Sequence, residues 1–198
     1  MKYLLAACLL LVSSFCCATP SQDEAQALRE FHDTLWLVSE SDPRLLQLNA
    51  DFRELVKATG VTLPLKLEVT STPLIGHSFP GGVIVVQVDL ASLPRAQRML
   101  VLGHELGHQV LGHFASAFAF LDNNSQLFTN QAAEDNPAWR TFLHQQEYDA
   151  DAYAVHCLHL LGLPLADAVP IFEVYADADE SLTHPATKAR IARMRQLN

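Results

Sequence analysis

Apolar residues recur at intervals of three and four along two early stretches: Leu28, Phe31 and Leu35 within Ser21 to Ser39, then Leu45, Leu48, Phe52 and Leu55 within Pro43 to Thr59. That period lines one face of a helix, so two amphipathic helices are expected, the second stopped by Gly60. The pattern then changes to alternation from Leu65 to Thr70, between Pro64 and Pro73. A β-branched run, Val83-Ile84-Val85-Val86, lies within Gly82 to Asp89 and is entered through Pro80-Gly81-Gly82. Two strands are expected there, with a turn before the second.

Helical spacing resumes from Arg95 to about Leu121, with Pro94 at a position a helix start tolerates. Gly103, Gly107 and Gly112 interrupt this run, and each glycine inside a helix costs about 1 kcal/mol against alanine. Such a cost implies a close neighbour, either packed backbone or a ligand. Asp122 to Pro137 is polar and irregular and reads as a loop. Further helices are expected from about Ala138 to Leu161, stopped by Gly162, from Pro164 to Tyr175, and from Pro185 to the terminus. The sum is a mostly helical α+β fold with a small antiparallel sheet beside the glycine-bearing helix.

Composition adds boundaries. The chain has 198 residues, 49% of them apolar, enough for one globular domain with a core, expected at 19–198. The net charge is -9, and no cluster of Lys or Arg interrupts the acidity, so nucleic acid is not an expected partner. Lys2, the apolar stretch Tyr3 to Val12 and the small residues ending at Cys16-Cys17-Ala18 read as a signal peptide over 1–18, which predicts export to the periplasm or the exterior. Leu5-Ala6-Ala7-Cys8 competes as a lipidation box, so membrane association is expected only through an uncleaved or lipidated N-terminus. Three of the four cysteines fall in this leader, which leaves Cys157 without a disulfide partner and reads it as a small apolar helix residue.

The chemistry concentrates in His104-Glu105-Leu106-Gly107-His108. Residues four apart on a helix differ by about 40° around the axis, so His104 and His108 project from one face and can reach one ion. This is the H-E-x-x-H pattern, in which two imidazoles bind zinc and the glutamate works on the attacking water. Zinc needs a third protein ligand and an open fourth position. His113 is nearest in sequence, but on a continuous helix it points away from His104, and it is expected in the core or behind the ligands. Glu147 and Asp151 form an E-x-x-x-D pair one turn apart on another helix. Glu147 is the candidate ligand, and Asp151 the carboxylate that fixes the far nitrogen of a liganding histidine.

Taken together, His104-Glu-Leu-Gly-His108 with His113, Gln146-Glu147-Tyr-Asp-Ala-Asp151, Thr183-His184-Pro185-Ala-Thr187 with Arg190 and Ile191, and Pro80-Gly81-Gly82-Val83-Ile84 resemble the gluzincin metallopeptidase family that contains HtpX, the CAAX prenyl endopeptidase and the periplasmic proteases BepA and LoiP. The resemblance implies a zincin-like fold and a single zinc ion on His104, His108 and Glu147. It also implies Glu105 as base, Asp151 behind the ligands, and His184 and Arg190 near the site. Ile75-Gly76-His77-Ser78-Phe79 departs from the family, whose members often have Asn followed by Ala there, and the membrane spans of its integral-membrane members are absent.

The expected function is that of an exported zinc-dependent endopeptidase hydrolysing peptide bonds of protein substrates, misfolded or unfolded envelope proteins among them, with Glu105 moving the proton and His184 donating to the oxyanion. The strand carrying Gly82, Val83 and Ile84 could offer a polypeptide substrate an edge for backbone hydrogen bonding. Two other readings fit the same residues: hydrolysis of cell-wall peptides, and a chaperone-like binding module whose zinc site is latent.

Overall fold

The computed structural model describes residues 20–128, 136–173 and 179–197. The leader read over 1–18, part of the polar loop and the end of the helix expected to reach Tyr175 lie outside these residues. Two helices open the described chain, α1 (Pro20–Asp33) and α2 (Pro43–Thr59). The first is shorter than expected, while the second starts where Asp42 accepts the Arg44 N–H and Pro43 sets the first helical residue.

Three strands follow, β1 (Lys66–Thr70), β2 (Gly76–Phe79) and β3 (Val83–Gln87), in the order β1-β3-β2. The sheet is mixed, not wholly antiparallel: β3 pairs parallel with β1 and antiparallel with β2. β2 had no signal in the sequence, since Gly76-His77-Ser78 lacks the β-branched residues of a strand; pairing with β3 and packing against a helix hold it extended. The β2–β3 turn needs Gly82, which has φ +86° and where a Cβ would come within 2.1 Å of the Pro64 carbonyl oxygen. β3 ends at Gln87 because Val88–Ser92 tightens into a 3-10 turn.

The long helical run is two helices, α3 (Arg95–Val110) and α4 (His113–Asn123). Gly112 separates them in the left-handed conformation, φ +66°, so His113 begins a new helix instead of continuing the old one. A 3-10 turn, Ser125–Phe128, follows α4 within the stretch expected to be irregular. Then come α5 (Pro137–Leu160), whose Asn136 caps the Ala138 and Trp139 N–H groups, α6 (Leu165–Ala168), α7 (Pro170–Glu173) and α8 (Thr187–Gln196).

α3 is the centre of the core. Its Met99, Leu100, Leu102 and Leu106 are fully buried against Leu48 and Leu55 of α2, Ile84 and Val86 of β3, and Ala154, Val155 and Leu158 of α5. Each such leucine contributes about 1.5–3 kcal/mol on leaving water. The sheet's other face turns Phe79 and Val85 toward Leu28 and Phe31 of α1 and Phe114 and Phe118 of α4, as strand alternation requires. α3 and α5 meet backbone to backbone. A Cβ on Gly103 would lie 3.2 Å from Ala154 Cα, and one on Gly107 3.1 Å from Ala150 Cα. The close neighbour inferred from these two glycines is therefore packed helix.

Candidate metal centre

On α3, His104 and His108 follow Gly103 and Gly107 by one residue; on α5, Glu147 and Asp151 are spaced by the same four residues as Ala150 and Ala154. The small residues draw the helices together, and the polar ones meet beside that contact. His104 Nε2 lies 3.1 Å from His108 Nε2, and Glu147 reaches the two rings at 3.5 and 3.3 Å. A tetrahedral ion bonded at about 2.0–2.1 Å holds its ligand atoms roughly 3.3 Å apart, so this trio can hold one metal ion. The donor chemistry agrees. Glu147 Oε2 is buried and accepts no hydrogen bond, with the Arg190 guanidinium as its charged neighbour, so the carboxylate keeps lone pairs to offer a metal ion.

The outward nitrogens of both rings are held. His104 Nδ1 meets Asp151 Oδ1 at 3.0 Å, and Asp151 is gripped by Arg190 of α8, whose Nε and Nη2 donate to its two oxygens at 2.9 and 2.7 Å. Arg190 Nη1 also lies 3.3 Å from Glu147 Oε2. His108 Nδ1 meets His113 Nδ1 at 2.9 Å. His113 stands behind His108, one of the two places expected for it, because the helix breaks at Gly112; a continuous helix would have turned it away. Burial, then the nearby His108, push its pKa down to about 4, so a neutral His113 can accept the His108 Nδ1 proton and leave Nε2 free to bind.

The charges suit a cation. Burial opposes ionisation of Glu147, but His184, Arg190 and His104 outweigh it and hold its carboxyl well below the usual range. Burial likewise opposes a charge on His104, yet Glu147 and Asp151 raise its pKa to about 10 in the metal-free protein. Burial, outweighing its own backbone hydrogen bond, pushes the Cys157 thiol up to about 12, which suits an inert core residue.

Glu105 points to the β2 side. Ser78 Oγ lies 2.7 Å from its carbonyl oxygen and 3.0 Å from Oε2, so one hydroxyl proton serves two acceptors. A Cβ on Gly76 would sit 2.8 Å from Glu105 Oε1 and 3.0 Å from its Cγ. Sequence reasoning missed Gly76 and Ser78; the departure from the family's Asn-Ala pattern was the available signal. His184, just before α8, brings Nε2 to 3.6 Å from Glu147 Oε2, while Thr183 Oγ1 contacts its Nδ1 at 2.7 Å. With the hydroxyl donating, the ring proton stays on Nε2.

Gly82, Val83 and Ile84 do not join this group. Gly82 lies in the turn, and β3 is the central strand, paired on both sides. It has no free edge to offer; among the described residues the free edge beside Glu105 belongs to β2.

No curated protein matches the chain. The sequence model of the family described as Peptidase family M48 matches residues 47–198, from within α2 through β2, the cage and α8 to the last residue. A buried two-histidine, one-glutamate cage with a second glutamate beside it is thus matched by a family assignment spanning every residue that builds it, and the chain belongs to peptidase family M48, the metallopeptidases that include HtpX, the CAAX protease, BepA and LoiP.

Proposed function

We propose that this metallopeptidase is an exported zinc endopeptidase acting on extended segments of unfolded or misfolded polypeptides. The observation that carries the reading is the cage of His104, His108 and Glu147, one of whose carboxylate oxygens accepts no hydrogen bond, beside a Glu105 held by Ser78. Two imidazoles and one carboxylate, each held from behind, are a ligand set suited to zinc with a fourth position open. Bound there, zinc supplies Lewis acidity for the scissile carbonyl and its attacking water.

The chain's own groups do the rest. Glu105 takes a proton from water as the C–O bond forms, then returns it to the leaving nitrogen as the C–N bond breaks. Gly76 and Ser78 keep that carboxylate in place. His184 Nε2–H donates to the oxyanion. Asp151 and Arg190 hold His104 and Glu147 from behind.

Support for an extended substrate comes from the phase of β2. The Gln87 N–H donates to the Ile75 carbonyl at 3.2 Å, so His77–Val85 and Phe79–Val83 are the other hydrogen-bonded pairs of the register. The N–H and C=O groups of Gly76 and Ser78 therefore point to the free edge, next to Glu105, where a peptide can add as a strand. Backbone pairing tolerates many side chains, which suits unfolded protein. Export rests on the leader pattern of residues 1–18.

The zinc-loaded protein is expected to cleave unfolded casein and to leave purified peptidoglycan intact. Glu105→Gln should lower turnover by about 10²–10⁴-fold while zinc content stays at one per chain. Full biological activity in that variant would instead establish a non-hydrolytic, chaperone-like role.

A further inference from the structure

β2 is one edge of the sheet; β1 is the other, and the mechanism above gives it no task. Its hydrogen-bond phase follows from two contacts. The Lys66 N–H donates inward to the Gly82 carbonyl at 2.9 Å, and the Val69 carbonyl accepts from outside, from the Val38 N–H at 2.9 Å. Successive residues of a strand turn their backbone groups to opposite sides, so Leu67, like Val69, faces outward. The connection between α1 and α2 covers this edge only at Val69 and at Thr70, which Leu37 bridges. Among the described residues the N–H and C=O of Leu67 have no backbone partner, and an edge bare at that point can pair with another chain.

The bare stretch borders a groove of about 560 Å³ between β1 and α2. Phe52 and Val56 of α2, with Leu65 and Leu67, give it an apolar lining, and Arg53 and Lys57 line it as well. These two cations stand four residues apart on α2, hence on one helix face. Both are exposed, and neither has an ion-pair or hydrogen-bond partner among the described residues. The chain carries a net charge of -9, and Arg95, Arg98 and Arg190 all meet carboxylates. Two unpaired cations side by side therefore set this groove apart from its acidic surroundings.

The three features select a ligand together. An anionic amphiphile would suit the lining and the cations but leave the Leu67 backbone groups unpaired. An extended polypeptide with acidic and apolar residues satisfies all three, its main chain on β1, its apolar side chains in the groove and its carboxylates on Arg53 and Lys57. We propose that this groove is a second binding site for the substrate polypeptide, holding an extended acidic segment remote from the scissile bond. This rests on the endopeptidase reading given above, which supplies the unfolded chain. A strand added to β1 lies four strand spacings, about 19 Å, from one added to β2. At least about six extended residues are needed to join them, and more for a chain led round the sheet, so a short peptide cannot use both. Holding the remote segment raises the local concentration of the scissile one and leaves the chemistry alone, so the effect falls on KM.

The test gives the zinc-loaded chain two quenched-fluorescent substrates. One is a short peptide with a single casein cleavage sequence. The other joins that peptide, through about 20 Gly/Ser residues with an r.m.s. reach of about 25 Å, to a segment of alternating Val and Glu. The ratio of their kcat/KM values, long over short, is read in the natural chain and in the double variant Arg53→Glu/Lys57→Glu. The natural chain should give a ratio of about 10 or more, carried by KM. The double variant should bring it to about 1, and Lys in place of Glu in the segment should restore it there. Methylating every backbone nitrogen of the Val-Glu segment should abolish the advantage in the natural chain. An advantage that survives methylation reduces the effect to charge attraction and overturns the proposal, as does one that survives in the double variant. A natural chain that cuts the short peptide with a ratio of 1 sinks this inference alone, whether the groove then proves to take dodecanoate or a second copy of the chain. A natural chain that cuts neither substrate sinks the endopeptidase reading and this proposal with it.

Discussion

Gly76 has no side chain, and the space that leaves is taken by Glu105. A methyl group there would press on the carboxylate at 2.8 Å and on Val101 Cγ1 at 3.1 Å, both closer than ordinary contact. The carboxylate is the more movable of the two, so Gly76→Ala should displace it from Ser78 and lower kcat/KM by about 10- to 100-fold. Melting temperature should stay within a few degrees of the natural chain, because the methyl meets only the end of the Glu105 side chain and one methyl of the core residue Val101. Equal activity in this variant would show that Glu105 does not depend on its β2 contact. Ser78, whose hydroxyl meets both the carbonyl and the carboxylate of Glu105, is the other half of the same support.

At the scale of elements, the centre is a property of the α3–α5 contact. His104 and His108 come from one helix and Glu147 and Asp151 from the other, so the cage closes only at the separation Gly103 and Gly107 allow. Gly107→Val puts a branched side chain where Ala150 Cα, Tyr153 Cβ and the Ala150 carbonyl already lie 3.1–3.3 Å from a Cβ. Overpacking of this kind costs about 2 kcal/mol, to be read by urea unfolding of the metal-free protein. Zinc affinity should fall with it, since pushing the helices apart moves Glu147 away from both imidazoles. A variant that loses stability but keeps full affinity would mean that the cage adjusts independently of the helix contact.

For the whole molecule, metal binding is linked to protons. In the metal-free protein the two carboxylates beside His104 raise its pKa to about 10, well above the ordinary value of roughly 6.5. A ligand that must lose a proton to bind makes affinity rise with pH. The apparent dissociation constant for zinc should therefore drop by about tenfold per unit between pH 7 and 9 and level off near 10, measured by competition with a chelator. The sign for stability is opposite. A raised folded pKa contributes stability that is complete below the unfolded value and lost as pH rises through the folded one. The metal-free chain should thus melt at lower temperature as pH climbs from about 6.5 to 10, while the zinc-loaded chain holds. At free zinc of a hundred times the dissociation constant, loading should add about 2.7 kcal/mol.

Much of the centre was legible because its information is local. A four-residue interval on a helix fixes which side chains share a face, and that sufficed to pair His104 with His108 and Glu147 with Asp151. Helix starts were local too: the second helix begins at Pro43 as expected, and the one expected from about Ala138 begins one residue earlier, at Pro137, where Asn136 caps it. Three features were decided elsewhere. β2 exists because β3 offers hydrogen bonds to a segment with little strand preference of its own. The free edge beside Glu105 falls on β2 instead of Gly82 to Ile84 because the parallel β1–β3 pairing fills the other side of β3. His113 reaches His108 because Gly112 turns the chain, a choice between an unbroken and a broken helix that glycine leaves open and only packing resolves. The sequence by itself determined which side chains share a helix face, His104 with His108 and Glu147 with Asp151, since periodicity acts within an element; the tertiary structure decided that the two pairs meet and what stands behind and beside them, since helix contact, strand order and a helix break depend on segments far apart in the chain.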